Sequence, residues 1–185
     1  MTDMTELELR VTIPEKGDVD EATAQLLEFV YRPHLGVPIP TVGVLALTPT
    51  MFGPFLQWAS ALALEGILPK RDQELLALRT SLHCHSEFEW VEHAGFAKDD
   101  GMTDAEIENI KAGPDAGWVE HEAALLRAAD ELHHDCEISD TTWAALAAHY
   151  SPGELVEIPF VVGQYTMLSM VANGLGTVTP GASAP

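Results

Sequence analysis

The sequence predicts an all-α fold, a compact bundle of about eight helices, from three observations. Apolar residues recur at the spacing of amphipathic helices along most of the chain. Three segments open on Ser or Thr followed three residues later by Glu, which is the capping-box pattern of helix N-termini. These pairs are Ser86 with Glu89, Thr103 with Glu106 and Ser151 with Glu154. No regular alternation of apolar and polar residues marks strands, and there is no internal repeat.

Caps, glycines and prolines delimit the predicted helices. Asp18 or Asp20 caps the first helix, which ends near Pro33. The others are predicted at 51–65, 70–82, 86–98, 103–113, 117–134, 139–150 and 151–173. Gly66 supplies a C-terminal stop, and Pro152 occupies a first helical position, where its missing N–H costs nothing. We expect the helices at 70–82 and 86–98 to form a hairpin at the centre of the fold.

Length and charge bound the classes of function. The 185 residues suit one domain, predicted over 1–175, and the tail at 176–185 is expected to be disordered because it is small, polar and rich in Pro and Gly. Nine Lys and Arg against 29 Asp and Glu give a formal charge of −20. Nucleic acids and anionic membranes are bound through Lys and Arg, so this charge argues against both as partners.

The N-terminus and the cysteines predict a cytoplasmic protein. The first ten residues are polar and acidic, unlike a signal peptide, and Cys84 and Cys136 are interpreted as reduced thiols. Four prolines interrupt the uncharged stretch Val37–Leu64, which is interpreted as a buried loop and a core helix, not a membrane span. This stretch and the last helix offer surplus apolar surface, which predicts a closed symmetric oligomer. The residues of the last helix in question are Phe160, Val161, Val162, Leu168 and Met170.

Candidate catalytic side chains are concentrated in residues 71–93. Glu74 and Arg79 lie at the two edges of the apolar stripe of helix 70–82. A carboxylate at the edge of a buried face loses hydration and gains proton affinity, so Glu74 is a candidate proton-handling group. Arg79 is a candidate for gripping a substrate carboxylate through two hydrogen bonds, or for neutralising a charge at the helix edge.

Helix 86–98 is apolar around most of its circumference, so its polar residues stand out. Glu89 and His93 are four residues apart and therefore share a face, with Ser86 one turn before them. A carboxylate beside an imidazole forms a proton-handling pair. We predict His93 as the main acid/base, Glu89 as the group that orients or activates it, and Glu74 as a second proton-handling group. The alternatives are that Ser86 and Glu89 only cap the helix and that His93 and Trp90 belong to the core.

A family resemblance rests on the same residues. Glu74, the run Ser86-Glu87-Phe88-Glu89-Trp90 and His93 resemble the "SEYEW…H" signature of the carboxymuconolactone decarboxylase family. GMTDAEIENIKAG and DELHHDCEISDTTWAALAAHYSPGELVEIPFVVGQY resemble that family too, so the likeness spans roughly Pro54 to Gly174. It implies an alkylhydroperoxidase D-like fold, a trimer or hexamer, and a cofactor-independent lyase or isomerase acting on a small lactone or cyclic carboxylic acid.

In the family's named reaction, a carboxymuconolactone loses carbon dioxide and its double bond moves. The resemblance therefore implies His93, Glu89 and Glu74 as catalytic residues and Arg79, Ser86 and Trp90 as substrate-binding residues.

Related alkylhydroperoxidase D proteins use a glutamate, a Cys-x-x-Cys pair and a histidine. Their glutamate and histidine match Glu74 and His93, but their cysteine positions hold Ser86 and Glu89 here. Peroxide reduction needs a thiolate and a resolving thiol, so we predict no thiol-dependent peroxidase activity. Two alternatives stay open, a redox protein that uses Cys84 and a non-catalytic ligand-binding member of the family.

Two groups of residues compete as metal ligands. One comprises His83, His85, Glu89 and His93, and the other His133, His134 and Cys136. Adjacent histidines on a helix point about 100° apart and seldom bind one ion together. We predict neither a metal nor another cofactor.

Overall fold

The computed structural model describes residues 10–176, and that part of the chain is predominantly helical. Within it the α-helices are α1 Glu21–Phe29, α2 Pro40–Gly43, α3 Pro49–Glu65, α4 Lys70–His83, α5 Glu87–Asp99, α6 Asp104–Ala112, α7 Glu120–Asp135, α8 Asp140–Ala147 and α9 Pro152–Leu175. The prediction of an all-α fold is confirmed. The tail expected to be disordered lies, from residue 177 onward, outside the described residues.

The structure adds short elements between α1 and α3. Strands β1 (Tyr31–Arg32) and β2 (Val37–Pro38) form an antiparallel pair, followed by α2 and a 3₁₀ turn at Val44–Leu47. Two-residue strands are too short to show alternation in a sequence, which explains why they were not predicted. The segment after Pro38 was predicted as a buried loop; it is buried, but it consists of one-turn helices.

Two of the three predicted capping boxes form. The hydroxyls of Thr103 and Ser151 each accept from the backbone N–H three residues on, and the glutamates reach back to the caps. The third prediction, at Ser86, is wrong: Ser86 precedes α5 but makes no capping hydrogen bond. Its hydroxyl and the Glu89 carboxylate are buried at the junction of α4 and α5, and neither caps the helix.

Helix α4 lies at the centre of the fold and is enclosed by its neighbours. It packs against α5 in the predicted hairpin, and against α7 and α9 on its other sides. All ten residues from Asp72 to Ser81 are buried. Buried charged groups require partners. The acidic and basic side chains of α4 must therefore be satisfied within the protein, and each of them marks a polar site in the interior.

The prediction of a core helix at 51–65 is wrong for most of α3. Only Phe52 and Leu56 of this helix are buried, while Met51, Trp58 and Leu64 are exposed. α3 packs against a smaller apolar cluster shared with α1, separate from the main core around α4 and α7. It therefore presents an apolar surface to the outside.

Helix α9 is the single described helix long and apolar enough to cross a membrane, but 44% of its apolar window is buried inside the protein. Val161, Val162 and Leu168, predicted to contribute surplus apolar surface, are buried, while Phe160 and Met170 are exposed. α9 is thus a core helix with one apolar edge at the surface.

Candidate active site

The hairpin of α4 and α5 brings Glu74, Glu89 and His93 together. Nδ1 of His93 lies 2.7 Å from Oε2 of Glu74, and its Nε2 lies 3.9 Å from Oε2 of Glu89. The three residues are only 9%, 3% and 7% exposed. The spacing of four places Glu89 beside His93 on α5, while Glu74 comes from the facing helix. The imidazole is therefore held between two buried carboxylates.

The turn that closes the hairpin is tight. His85 adopts a φ of 51°, in the left-handed region that few non-glycine residues occupy. Directly after it, the backbone N–H of Ser86 donates to the carbonyl oxygen of Ser81. This turn sends α5 back along α4 and brings Glu74 opposite His93.

Burial controls the proton affinity of Glu89. Loss of hydration raises the pKa of its carboxyl, while the charge of His93 and the nearby hydroxyl of Thr41 act in the opposite direction. Its Oε1 is buried with no hydrogen-bond partner among the described residues. Glu89 is therefore a carboxyl that retains its proton above the usual pH and has an unused hydrogen-bonding oxygen.

The pKa of His93 is set by opposing effects. Burial lowers the pKa. The hydrogen bond and charge of Glu74, together with the charges of Glu89 and Glu92, raise it by more, so the net shift of the pKa is upward. Because the groups interact strongly, protons leave the cluster in coupled steps that belong to the set and not to one residue. A carboxylate and an imidazole in contact form a pair that can take up and deliver a proton.

Tyr165 of α9 links this cluster to a surface concavity. Its ring meets the His93 ring edge-on at 4.4 Å between centroids. Burial and the charges of Glu74 and Glu89 raise the pKa of Tyr165 above its ordinary value, so the phenol stays neutral. The same tyrosine borders a small concavity between α3, α4 and α9. The other residues lining it are Ala59, Leu62, Ala63, Gln73, Val161 and Gln164.

Three buried hydroxyls near the hairpin also lack partners. Within residues 10–176, the hydroxyl oxygens of Thr80, Ser86 and Ser169 have no hydrogen bond. A buried polar atom left unpaired costs about 1–3 kcal/mol, so such atoms are rare. They come from α4, the start of α5, and α9, the elements that also enclose His93. Sequence reasoning identified Ser86 alone among them, because the others are ordinary helical residues without a motif.

The structure places Arg79 away from this cluster. Its Nη2 donates to Oδ2 of Asp130 at 2.9 Å, its Nε donates to the other oxygen of the same carboxylate, and its Nη1 donates to the carbonyl oxygen of Ile110. These partners lie on α6 and α7, whereas Glu74 faces α5. The guanidinium predicted to grip a substrate is thus engaged in a bidentate pair within the protein.

Trp90 lies against the main core. It is partly buried there, and the ammonium of Lys111 is 5.0 Å from the centroid of its ring. Of the three residues predicted to bind substrate, Ser86 alone has a buried side-chain atom without a hydrogen-bond partner in residues 10–176.

The thiol of Cys84 is half-buried at the end of α4. Burial raises its pKa, against the smaller effects of the neighbouring side chains of Thr166 and Ser169. Its sulfur lies 3.9 Å from Nδ1 of His133. A thiol with a raised pKa carries little thiolate, which is the reactive form.

The histidine groups of the sequence are distributed differently in space. Nε2 of His83 lies 2.6 Å from Oδ1 of Asp130, and its ring stacks on His133 at 5.0 Å. His134 meets the His83 ring edge-on. The candidate metal-ligand group that included His83 and His93 is therefore not a single cluster in space, because His83 contacts the histidines of α7.

Comparison with known proteins finds one family model that matches part of the chain. The model of the family described as "Carboxymuconolactone decarboxylase family" matches residues 49–131, which include Glu74, Glu89 and His93. No curated protein matches the chain.

Several solved structures share the fold. One is described as an alkylhydroperoxidase AhpD core, an uncharacterized peroxidase-related protein from Ralstonia eutropha JMP134; it has a TM-score of 0.80 at 20% identity over 96% of this chain and 95% of its own. A peroxidase-related protein from Silicibacter sp. TM1040 has a TM-score of 0.80 at 15% identity, over 98% and 96% of the two chains.

A third structure, a protein of unknown function from Agrobacterium tumefaciens linked by its description to AhpD antioxidant defence, has a TM-score of 0.68 at 23% identity, over 75% and 96%. At these identities the likeness concerns the fold alone.

Proposed function

We propose that the chain is a cofactor-independent acid/base enzyme of the lyase or isomerase type acting on a small cyclic substrate, because residues 49–131 match the model of the carboxymuconolactone decarboxylase family. The observation that carries the proposal is the imidazole of His93, held between the carboxyl groups of Glu74 and Glu89. A positioned acid or base typically accelerates a reaction by about 10²- to 10⁴-fold.

The geometry supports a different division of roles from that predicted from the sequence. Glu74 makes the short contact with Nδ1 of His93, so it orients the ring by accepting a hydrogen bond from the Nδ1–H. Nε2 is then the nitrogen that gives or takes a proton. Glu89 lies beside Nε2, and burial favours its protonated form, so it serves as the acid or as a proton reservoir.

The charges around the cluster favour a substrate whose reacting part is neutral. No Lys or Arg side chain pairs with Glu74 or Glu89 anywhere in residues 10–176. Arg79, the cation predicted to bind a carboxylate, is paired with Asp130. An anionic group beside these carboxylates would be repelled. Within the proposed class, proton transfer beside the carbonyl of a lactone is therefore favoured over binding of a cyclic carboxylic acid.

Solvent hydrogen exchange tests this proposal directly. Small lactones and their carboxylated counterparts are incubated with the protein in D₂O, and deuterium incorporation beside the carbonyl is followed by NMR. We expect exchange with a neutral lactone, strongly reduced in His93→Gln. Absence of exchange across both series, or full exchange in a folded His93→Gln variant, would contradict the proposed acid/base role.

We also propose that the chain forms a cytoplasmic homo-oligomer, a trimer or hexamer, with a small molecule as its substrate. The support is an apolar surface shared by α3 and α9, where Trp58 and Phe160 pack edge-on at 5.4 Å yet stay 42% and 49% exposed. Met51, Leu64 and Met170 are exposed on the same two helices. Soluble proteins seldom leave this much apolar surface uncovered.

Light scattering at physiological salt tests the assembly. We expect a mass that is a multiple of 20.0 kDa for the wild type and a shift towards the monomer for Phe160→Asp. Val119→Asp, which changes an exposed apolar residue outside α3 and α9, is the matched control and should keep the oligomer. A wild-type monomer would contradict the proposal.

A further inference from the structure

A second cluster of ligand-type side chains lies between the first turns of α4 and α7. It consists of Asp72 on α4 and of His121 and Glu122 on α7. One donor atom from each residue lies within 4.8 Å of the donor atoms of the other two. Zinc–ligand bonds are about 2.0–2.2 Å long, so two donors of one tetrahedral ion lie about 3.3–3.6 Å apart. The donor atoms, which lie within 4.8 Å of one another, would therefore close by up to about 1.5 Å on binding one ion.

Neighbouring residues hold both carboxylates and leave an oxygen of each available. The hydroxyl of Tyr150 donates to Oδ2 of Asp72 at 2.9 Å, and Nε of Arg71 donates to Oε1 of Glu122 at 2.7 Å. Asp72 is only 4% exposed, and its Oδ1 has no hydrogen-bond partner within residues 10–176. Outer partners of this kind orient the ligands of metal sites.

The ring of His121 is held in place by stacking, and its nitrogens make no hydrogen bond within residues 10–176. It stacks on the ring of His149, with 3.8 Å between centroids and 4° between planes. In the described part of the chain, neither ring nitrogen of His121 has a hydrogen-bond partner. A ring nitrogen that makes no other bond is available to a metal, which imidazole binds through such a nitrogen.

We propose that Asp72, His121 and Glu122 bind one divalent transition-metal ion of the zinc class. One imidazole and two carboxylates form a donor set that such ions accept, and three protein ligands leave further positions for water. A cation would compensate the buried carboxylate of Asp72, towards which no Lys or Arg of residues 10–176 is directed. The formal charge of −20 also favours retention of a cation.

The competing explanation is that these carboxylates need no ion. Asp72 and Glu122 lie in the first turns of their helices, where the helix dipole stabilises negative charge. Tyr150 and Arg71 would then complete their interactions. This explanation accounts for the acidic residues, but it gives no role to the unused nitrogens of His121. The two explanations therefore differ in whether the wild type binds a metal ion through that imidazole.

Calorimetric titration with ZnCl₂ of the full chain, first stripped with a chelator, separates them. We expect one Zn²⁺ per chain, bound with an affinity that falls at least about 100-fold in His121→Ala and in Asp72→Asn. Tyr150→Phe removes an outer partner without removing a ligand, and should weaken binding about 10- to 100-fold. Zn²⁺ should also raise the Tm of the wild type, since it would join α4 to α7 in the folded state alone.

The matched control is the double variant His133→Ala/His134→Ala, which removes two histidines of the other histidine group on the same helix. It should bind Zn²⁺ as the wild type does. Absence of binding to the wild type, unchanged binding in His121→Ala, or loss in the control would each overturn the proposal. Circular dichroism checks the fold of every variant, and Tyr150→Phe decides the matter if His121→Ala unfolds.

Discussion

The two polar clusters on α4 begin from nearly the same position in the sequence and differ in chemistry. Asp72 and Glu74 are two residues apart, so their side chains point about 200° apart around the helix. Glu74 faces α5 and meets a histidine that lies against a second carboxyl, with Tyr165 and Phe96 around the ring. Asp72 faces α7 and meets Tyr150, beside an imidazole whose nitrogens are unused.

What differs is the position of the proton. In the α5 cluster each ring nitrogen of the histidine faces a carboxyl group, and the pKa values of His93 and Glu89 are both raised. In the α7 cluster the carboxylates are held by Tyr150 and Arg71, and the histidine stands apart from both hydrogen bonds. The first arrangement suits proton transfer, and the second suits a bound cation. One buried helix can thus support two sites because its two faces are enclosed by different partners.

The largest effect that we expect separates the two clusters by activity. His93→Gln removes the group that carries the proton and should lower kcat by about 10²- to 10⁴-fold. His121→Gln is the matched control, since His121 lies on α7 against the opposite face of α4. It should leave kcat within about twofold. Steady-state assays with the lactone identified by deuterium exchange measure both. Equal losses in the two variants would contradict the division of roles between the clusters.

The second effect concerns stability. His93→Ala leaves Glu74 buried without its partner, and breaking a buried pair from one side costs about 3–5 kcal/mol. The sequence alone predicts little loss, because the change opens no large apolar cavity. Urea unfolding should therefore give a much lower free energy of unfolding for His93→Ala than for His34→Ala, whose ring is exposed. A double variant, His93→Ala/Glu74→Gln, should recover part of the loss.

The sequence could predict the parts of the site that depend on local spacing. Glu89 and His93 share a face because four residues separate them on one helix, and Glu74 follows once the two helices pair. The fold was predictable for the same reason, since caps and apolar spacing are local features.

Contacts between distant segments could not be predicted in this way. A position at the edge of a stripe does not reveal that Arg79 pairs with Asp130 on α7. Tyr165 and the cluster of Asp72 with His121 depend on how α7 and α9 pack on α4, and no motif encodes that packing.

A third effect concerns the pH dependence of stability. The pKa of Glu89 is raised in the folded state by burial, so the folded protein binds more protons at this site than the unfolded chain. Its contribution to stability therefore falls as pH rises from the unfolded pKa of about 4.3 through the folded pKa. The pKa of His93 is raised as well, so its contribution is present below about 6.5 and is lost at higher pH.

Glu89→Gln should abolish the fall in stability that Glu89 causes as pH rises above about 4.3. Much of the fall in stability due to His93 should remain. We expect the variant to match the wild type near pH 4 and to exceed it in Tm by a few degrees near pH 8, since about 1 kcal/mol corresponds to about 2–4 °C. Thermal unfolding across this range provides the measurement. A variant that is less stable than the wild type at pH 8 would show that Glu89 stabilises the fold as an anion.

The smallest effect is expected for Cys84, which lies near the hairpin turn but belongs to neither cluster. Burial raises the pKa of its thiol, and the family resemblance implies that Ser86 and Glu89 stand where alkylhydroperoxidase D proteins carry cysteines. Thiol-dependent turnover of hydrogen peroxide and organic peroxides should therefore stay at background, and Cys84→Ser should leave both that background and the lactone activity unchanged. The serine keeps a hydroxyl beside Thr166 and Ser169, so the variant tests the sulfur and not the packing. Peroxide turnover that disappears in Cys84→Ser would assign the reaction to this thiol and move the catalytic centre from His93 to the end of α4.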